Sequence, residues 1–251
     1  MTDTLVSSHF AVFSLAAFIV GLSKGGLPAV GMLAVPLLAL LMSPVKAASM
    51  LLPIYILTDM YGVWLYRREF SARNLKILVP AGLAGILIGW GTAAYVSDRG
   101  VMGLVGLMGV GFCLNTWFRT PPPASDQPPS VPKGWFWGAL SGFTSFVSHS
   151  GGPPFQIYVL PQKLPKLVYA GTSTIMFAVL NAAKIVPYQQ LRPYHVEDLW
   201  VAVVLVPAGM LGAFVGAWAT RRIADKLFFR VVQGALFVLC LKLIYDAFTK
   251  T

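Results

Sequence analysis

The chain has 251 residues, 57% of them hydrophobic and only 11% charged, against about 25% charged in an average soluble domain. That is too little charge to cover a soluble surface, and it falls in clusters between apolar stretches of about 20 residues, the length a helix needs to cross a bilayer. The net charge of +10 sits mostly in short loops and not in a basic stripe with interleaved aromatics, which argues against nucleic acid and for orientation in a membrane.

Apolar runs and their punctuation predict ten helical elements. The first pair, 10–22 and 27–42, is separated by Ser23-Lys24-Gly25-Gly26 and followed by 47–66, 75–96 and 100–118. A Pro-rich segment from Thr120 to Lys133 cannot be helical and reads as a solvated linker. The elements 134–148, 151–163, 167–188, 196–220 and 228–248 follow. Asp3 is the only charge before Lys24, so the basic start of a cleavable signal is missing and the first apolar stretch is expected in the mature protein. Cys113 and Cys240 lie inside apolar runs without metal-ligand spacing and read as small core residues.

The two halves match around this linker. Ser23-Lys24-Gly25-Gly26-Leu27-Pro28 answers His149-Ser150-Gly151-Gly152-Pro153-Pro154, and Ala47-Ala48-Ser49 answers Ala170-Gly171-Thr172. Val79-Pro80-Ala81-Gly82 through Gly85 answers Val206-Pro207-Ala208-Gly209 through Gly212, Gly89 answers Gly216, and Asp98-Arg99 answers Asp225-Lys226. Such order in register predicts a duplicated unit, residues 1–119 and 134–251 around the linker 120–133.

Loop charge orients the units. Arg67, Arg68, Arg73 and Lys76, Arg119 and Lys133, Lys163 and Lys166, and Arg221, Arg222 and Lys226 fall on one side, the cytoplasmic one by the positive-inside rule. Lys46, Arg99, Arg192 and Lys250 fall on the other. The 67–76 loop is then inside and its partner, 189–198, outside, so the repeats are inverted, as in many secondary transporters. Inversion requires the 10–22 and 27–42 pair to contribute no crossing or two. At roughly 20–24 Å each, these elements are shorter than the ~30 Å hydrocarbon core. Re-entrant half-helices are favoured over two tilted spans. The expected fold is therefore an all-α integral membrane protein of two inverted-topology repeats, each a Gly-broken helix pair plus three transmembrane helices.

The breaks are where chemistry is expected. Unpaired backbone groups at membrane depth are tolerated only against protein, water or a ligand. Helices beginning near Leu27 and Pro153 would present N–H groups to an anion. Gly25, Gly26, Gly151 and Gly152 have no side chain to hold a ligand away, although a tight turn alone also uses Gly-Gly-x-Pro. Lys24 has no acidic residue within 20 positions and either partners an anion or snorkels to a headgroup. Ser23, Ser148, His149 and Ser150 suit oxyanion oxygens; His149 is equally a proton carrier or a structural hydrogen-bonder. Asp59 is a candidate for proton coupling or for an ion pair with Lys24 or an arginine. Asn181 is a site candidate, whereas Lys184, one turn on, is read as snorkelling from a helix end. Ser49 and Thr172 line the same cavity or serve helix packing. The glycines at 82, 85 and 89 and at 209, 212 and 216 are assigned to close helix packing. No metal site, cofactor motif or catalytic constellation is expected, and an enzyme is not.

On these residues the chain resembles the TauE/SafE family of sulfite exporters, also described as the toluene-sulfonate uptake permease family. The resemblance rests on Lys24-Gly25-Gly26, Ala47-Ala48-Ser49, His149-Ser150-Gly151-Gly152-Pro153 and Ala170-Gly171-Thr172, and covers about residues 10–248. It implies transport of sulfite, sulfonates or related sulfur-containing anions, usually across a bacterial inner membrane. The expected partners are that small anion, the lipid bilayer and, as an open option, further copies of the chain. A channel for small anions or weak acids is the alternative to a secondary transporter working by alternating access; proton coupling through Asp59 or His149 is an open option.

Overall fold

The computed structural model describes residues 9–27, 30–93, 98–118, 129–162, 164–191, 193–194, 196–222 and 224–249. Every regular element among them is helical. In chain order they are α1 (Phe10–Lys24), a 3-10 turn (Val30–Leu33) running into α2 (Ala34–Ala39), α3 (Pro44–Tyr66), α4 (Ala72–Thr92) and α5 (Asp98–Phe118). Then come α6 (Val131–Ser148), α7 (Gly152–Val159) with a 3-10 turn (Leu160–Gln162), α8 (Lys166–Ala183), α9 (Ile185–Leu191), α10 (Val196–Arg222) and α11 (Asp225–Thr249). Among the described residues, four stretches are long and apolar enough to cross a membrane: Lys46–Tyr66, Ala72–Thr92, Lys166–Leu191 and Asp198–Thr220. Phe10–Lys24 and Val30–Ala39 are apolar but shorter.

Local chemistry explains where the helices begin and end. Ser43 and Ser71 cap α3 and α4, their hydroxyls accepting from the backbone N–H of Lys46 and Asn74, and Pro44 supplies a first-turn residue that needs no N–H. The Pro-rich segment is shorter at its far end than expected. Val131–Lys133 already form the first turn of α6, because Pro132 suits that turn; residues 119–128, and Pro28 in the first Gly-Gly motif, lie outside the described residues. Two expected helices are interrupted. The 27–42 run is a 3-10 turn plus a six-residue helix. The 167–188 run breaks between Ala183 and Ile185. Pro187 lacks the N–H that would bond the Ala183 carbonyl, and its ring crowds that carbonyl. In α3 the same effect at Pro53 leaves the helix unbroken but frees the Ser49 carbonyl, which accepts the Tyr194 hydroxyl at 3.0 Å.

The glycine seams join opposite halves of the chain. On α4 and α6, a Cβ at Gly85 would lie 1.9 Å from the Ala139 carbonyl oxygen, and one at Gly142 would lie 1.9 Å from that of Gly82. On α1 and α10, a Cβ at Gly21 would lie 1.8 Å from the Gly209 oxygen, and one at Gly212 would lie 2.1 Å from that of Phe18. Further along, Gly134 meets Ile77 and Gly89 meets Phe146, while Gly21 meets Gly209 and Gly25 meets Ala217, so residue numbers rise together in both pairs and the helices run parallel. The remaining counterparts run antiparallel. Thr172, early in α8, accepts from the Ser71 N–H just past α3 at 2.9 Å, while Tyr194, just past α9, reaches Ser49 early in α3. Along α5 and α11, Gly106 abuts Cys240 and Ile244, whereas Trp117 meets Phe237.

Candidate functional site

Two chain breaks meet beside the middle of α3. The first follows Lys24, where Gly25 ends α1 and Gly26 takes φ 108°, a conformation that costs glycine nothing. The Gly25 carbonyl accepts from the hydroxyls of Tyr66 at 2.7 Å and Thr220 at 2.9 Å. The second follows Ser148: His149 turns the chain with φ 53°, and α7 starts at Gly152. There the Gly151 carbonyl accepts from the Ser141 hydroxyl at 2.7 Å.

Between the breaks lies a cavity of about 30 Å³, room for roughly two water molecules. The first half lines it with Ser23, Lys24, Gly31 and Tyr55; the second with Ser145, His149 and Gly152, and from α8 with Ser173, Thr174, Phe177 and Asn181. Lys24 is only 4% exposed and its ammonium lies 2.7 Å from Asp59, itself 4% exposed. The other Asp59 oxygen accepts from the Asn181 amide at 2.7 Å. Lys24 also sits 4.9 Å from the centre of the Tyr55 ring, a cation–π contact. Tyr55 stacks on His149 with centroids 4.3 Å apart and donates to the Gly31 carbonyl at 3.0 Å. A continuous polar row therefore crosses the contact between the halves.

The histidine's proton can be placed from its neighbours. Nε2 faces the Ala48 carbonyl at 2.9 Å, an acceptor only, so Nε2 carries hydrogen. Nδ1 lies 2.9 Å from Lys184 Nζ and accepts from it. Lys184 also donates to the carbonyl and hydroxyl oxygens of Ser145, both at 3.0 Å. Both ring nitrogens are thereby engaged with protein.

Several expected residues are thus brought together: Ser23, Lys24, His149, Gly152 and Asn181 line one cavity, and Asp59 is tied to two of them. Others lie apart from the lining. A Cβ on Gly25 would meet the backbone of Gly216 and Ala217, so this residue serves packing against α10. Gly26 stands against Tyr66 and Thr220, and Gly151 against Phe177 and Ser145. Ser150 donates to the Ser148 carbonyl, Ser49 is buried and its hydroxyl has no hydrogen-bond partner among the described residues, and Thr172 serves the α3–α4 turn. Lys184 does not snorkel: it is fully buried, its ammonium is held by Ser145 and His149, and the chain runs on past it as α9. Ser145, Ser173, Thr174 and Tyr55 were not singled out from sequence. Their only available signal was position: Ser145 lies one turn before the second break, Ser173 and Thr174 directly follow Thr172, and Tyr55 lies between Ser49 and Asp59.

A family model described as Sulfite exporter TauE/SafE matches residues 13–243, nearly the whole chain. The chain belongs to the TauE/SafE sulfite exporter family. Membership makes it a membrane transporter and agrees with the lack of catalytic groupings in its sequence. Comparison with curated proteins and with solved structures found no match in either.

Proposed function

We propose that this member of the TauE/SafE family is a secondary transporter of a small sulfur-containing anion, sulfite or a sulfonate, which it binds at the cavity between the two breaks and carries by alternating access. One observation carries the reading: a buried ammonium, Lys24, lines a cavity with the hydroxyl-bearing Ser173 and Thr174 where the halves meet. Cations at membrane depth are expensive and mark substrate pathways, and hydroxyls are oxyanion donors. Gly152, opening α7, adds the N-terminal end of a helix to the same wall. At about 30 Å³ the cavity must widen before such an anion fits, which motion of one half against the other would provide.

Inverted repeats, residues 1–119 and 134–251 around the linker 120–133, belong to this proposal. In their favour, α1–α10 and α4–α6 are parallel pairs of matching composition, while α3–α8 and α5–α11 are antiparallel, as a twofold axis in the membrane plane requires. The matching test is labelling of single cysteines at exposed positions, Arg68→Cys and Pro193→Cys; the buried Cys113 and Cys240 stay unreactive. We expect the first to label from the cytoplasmic side and the second from the opposite side, and labelling of both from one side would exclude inversion. The bilayer concerned is taken to be a bacterial inner membrane.

For transport itself, proteoliposomes holding the purified protein should take up sulfite or a sulfonate saturably, faster under a proton gradient. Rapid unsaturable flux indifferent to the gradient would establish a channel instead. Protonation at Asp59 or His149 is the proposed means of coupling.

A further inference from the structure

We infer that Asp59 is a resident stand-in for the transported anion: the anion displaces it from Lys24, takes Thr174 as a second donor, and Asp59 takes up one proton as it is released. The inference rests on the anion-transport reading and specifies how its site is regulated. Lys24 and Thr174 line the cavity, whereas Asp59 reaches Lys24 from behind it. A carboxylate and a sulfur oxyanion present the same chemistry to an ammonium: oxygen acceptors sharing one negative charge. Thr174 is 2% exposed and its hydroxyl has no hydrogen-bond partner among the described residues, an unusual state for a buried group. Thr174 also packs on Gly62, one turn from Asp59; a Cβ there would meet its methyl at 2.7 Å and the Lys24 carbonyl at 3.1 Å. An oxyanion bound to Lys24 would therefore find this donor beside it.

The proton follows from charge. Before exchange, Lys24 and Asp59 cancel. If the anion took Lys24 and Asp59 kept its charge, one uncompensated carboxylate would remain in a buried site, which is strongly unfavourable. Asn181 can hold one Asp59 oxygen throughout, leaving the oxygen that faced Lys24 to accept a proton from solvent on the side to which the cavity opens. One anion and one proton then enter together, and the net charge of the site is the same before and after.

The groups facing Asp59 are few. Lys24 comes from α1; Asn181, with Lys184 a turn beyond, from the α8–α9 corner; His149 from the end of α6; and Tyr55 from α3 itself. Of the other helices packed on α3, α2 has no charged residue, and α5 and α10 carry theirs at their ends. His149 has both nitrogens bonded to protein, which leaves Asp59 as the group whose partner changes.

Calorimetry on the purified full chain tests this with methanesulfonate, which stays a monoanion near neutral pH, alongside sulfite and thiosulfate. Titrations in two sulfonate-free buffers of different ionisation enthalpy should report uptake of about one proton per methanesulfonate. Linkage then makes affinity fall about tenfold for each pH unit while Asp59 is ionised in the free protein. Asp59→Asn should still bind, with no proton uptake and no pH slope. Thr174→Val should weaken binding several-fold while keeping the slope, a pattern that simple misfolding would not produce. Binding with no proton uptake by the wild type would overturn the exchange and leave the anion site standing. No binding of any of the three anions would remove the site, and the exchange with it.

Discussion

Lys24→Met is expected to be among the most damaging single substitutions in this protein, and Lys24→Met/Asp59→Asn to recover much of the loss. The pair is buried on both sides, 2.7 Å apart, with Asn181 holding the second carboxylate oxygen. Removing one member of such a pair costs about 3–5 kcal/mol, because the other is left as a lone buried charge. At about 2–4 °C per kcal/mol for chains near this size, the single variant should melt on the order of 10 °C lower in detergent. Replacing both charges removes the stranded carboxylate, so the double variant should melt well above the single one. It should nevertheless transport nothing, since no ammonium remains in the cavity. Thermal unfolding of the four proteins in the cycle decides the matter. A Lys24→Met protein that melts like the wild type would mean that the pair contributes no coupling.

The second large effect belongs to the glycine seams. Gly142→Ala adds a carbon that would lie 1.9 Å from the Gly82 carbonyl oxygen, and Gly21→Ala one that would lie 1.8 Å from that of Gly209. In each case the obstruction is backbone, which has no rotamer to escape into, so two helices must separate along their length. Overpacking of this kind costs about 1–3 kcal/mol, occasionally more. In helices that associate through close packing the upper end is expected. Gly111→Ala is the control: nothing lies within 4 Å of its added carbon, and alanine is the better helix former by up to about 1 kcal/mol. Size-exclusion profiles and melting curves should show Gly142→Ala aggregating or melting early and Gly111→Ala matching the wild type. Equal behaviour of the two would disprove the packing account.

Much of this architecture could be read before any coordinates, and the reasons are physical. Helices in hydrocarbon must satisfy their backbone internally, so apolar length and punctuation locate them; α3, α4 and α6 begin only about three residues from where the apolar runs place them. Cross-half packing was harder to see. Gly82 and Gly209 announce a close neighbour without naming it, because a glycine records distance and not identity. The site was legible to the same depth. Lys24, Asp59 and Asn181 stood out as polar residues in apolar surroundings, and the Lys24–Asp59 pair was one of the stated alternatives. Lys184 reads from sequence as a residue near a helix end, whereas its burial comes from Ser145 and His149, long-range partners that spacing along the chain does not reveal. Ser173 and Thr174 were overlooked because hydroxyls in membrane helices commonly bond their own backbone, as Thr58 and Thr144 do, and sequence does not separate those from one that does not.

The exchange of partners between the halves also has a consequence for how the chain is made. α1 lies against α10 and α6 against α4, so neither half can cover its own glycine face. As synthesis proceeds, α1 enters the membrane when the helix that will seat it has not been translated. Lys24 is less exposed to that delay, since Asp59 follows within the same half and can neutralise it early. The Gly25 carbonyl has Tyr66 soon after, but its second donor, Thr220, arrives only near the end of the chain. Assembly of the first break therefore finishes last, and premature termination anywhere before α10 leaves an incomplete α1 interface for quality-control proteases to recognise.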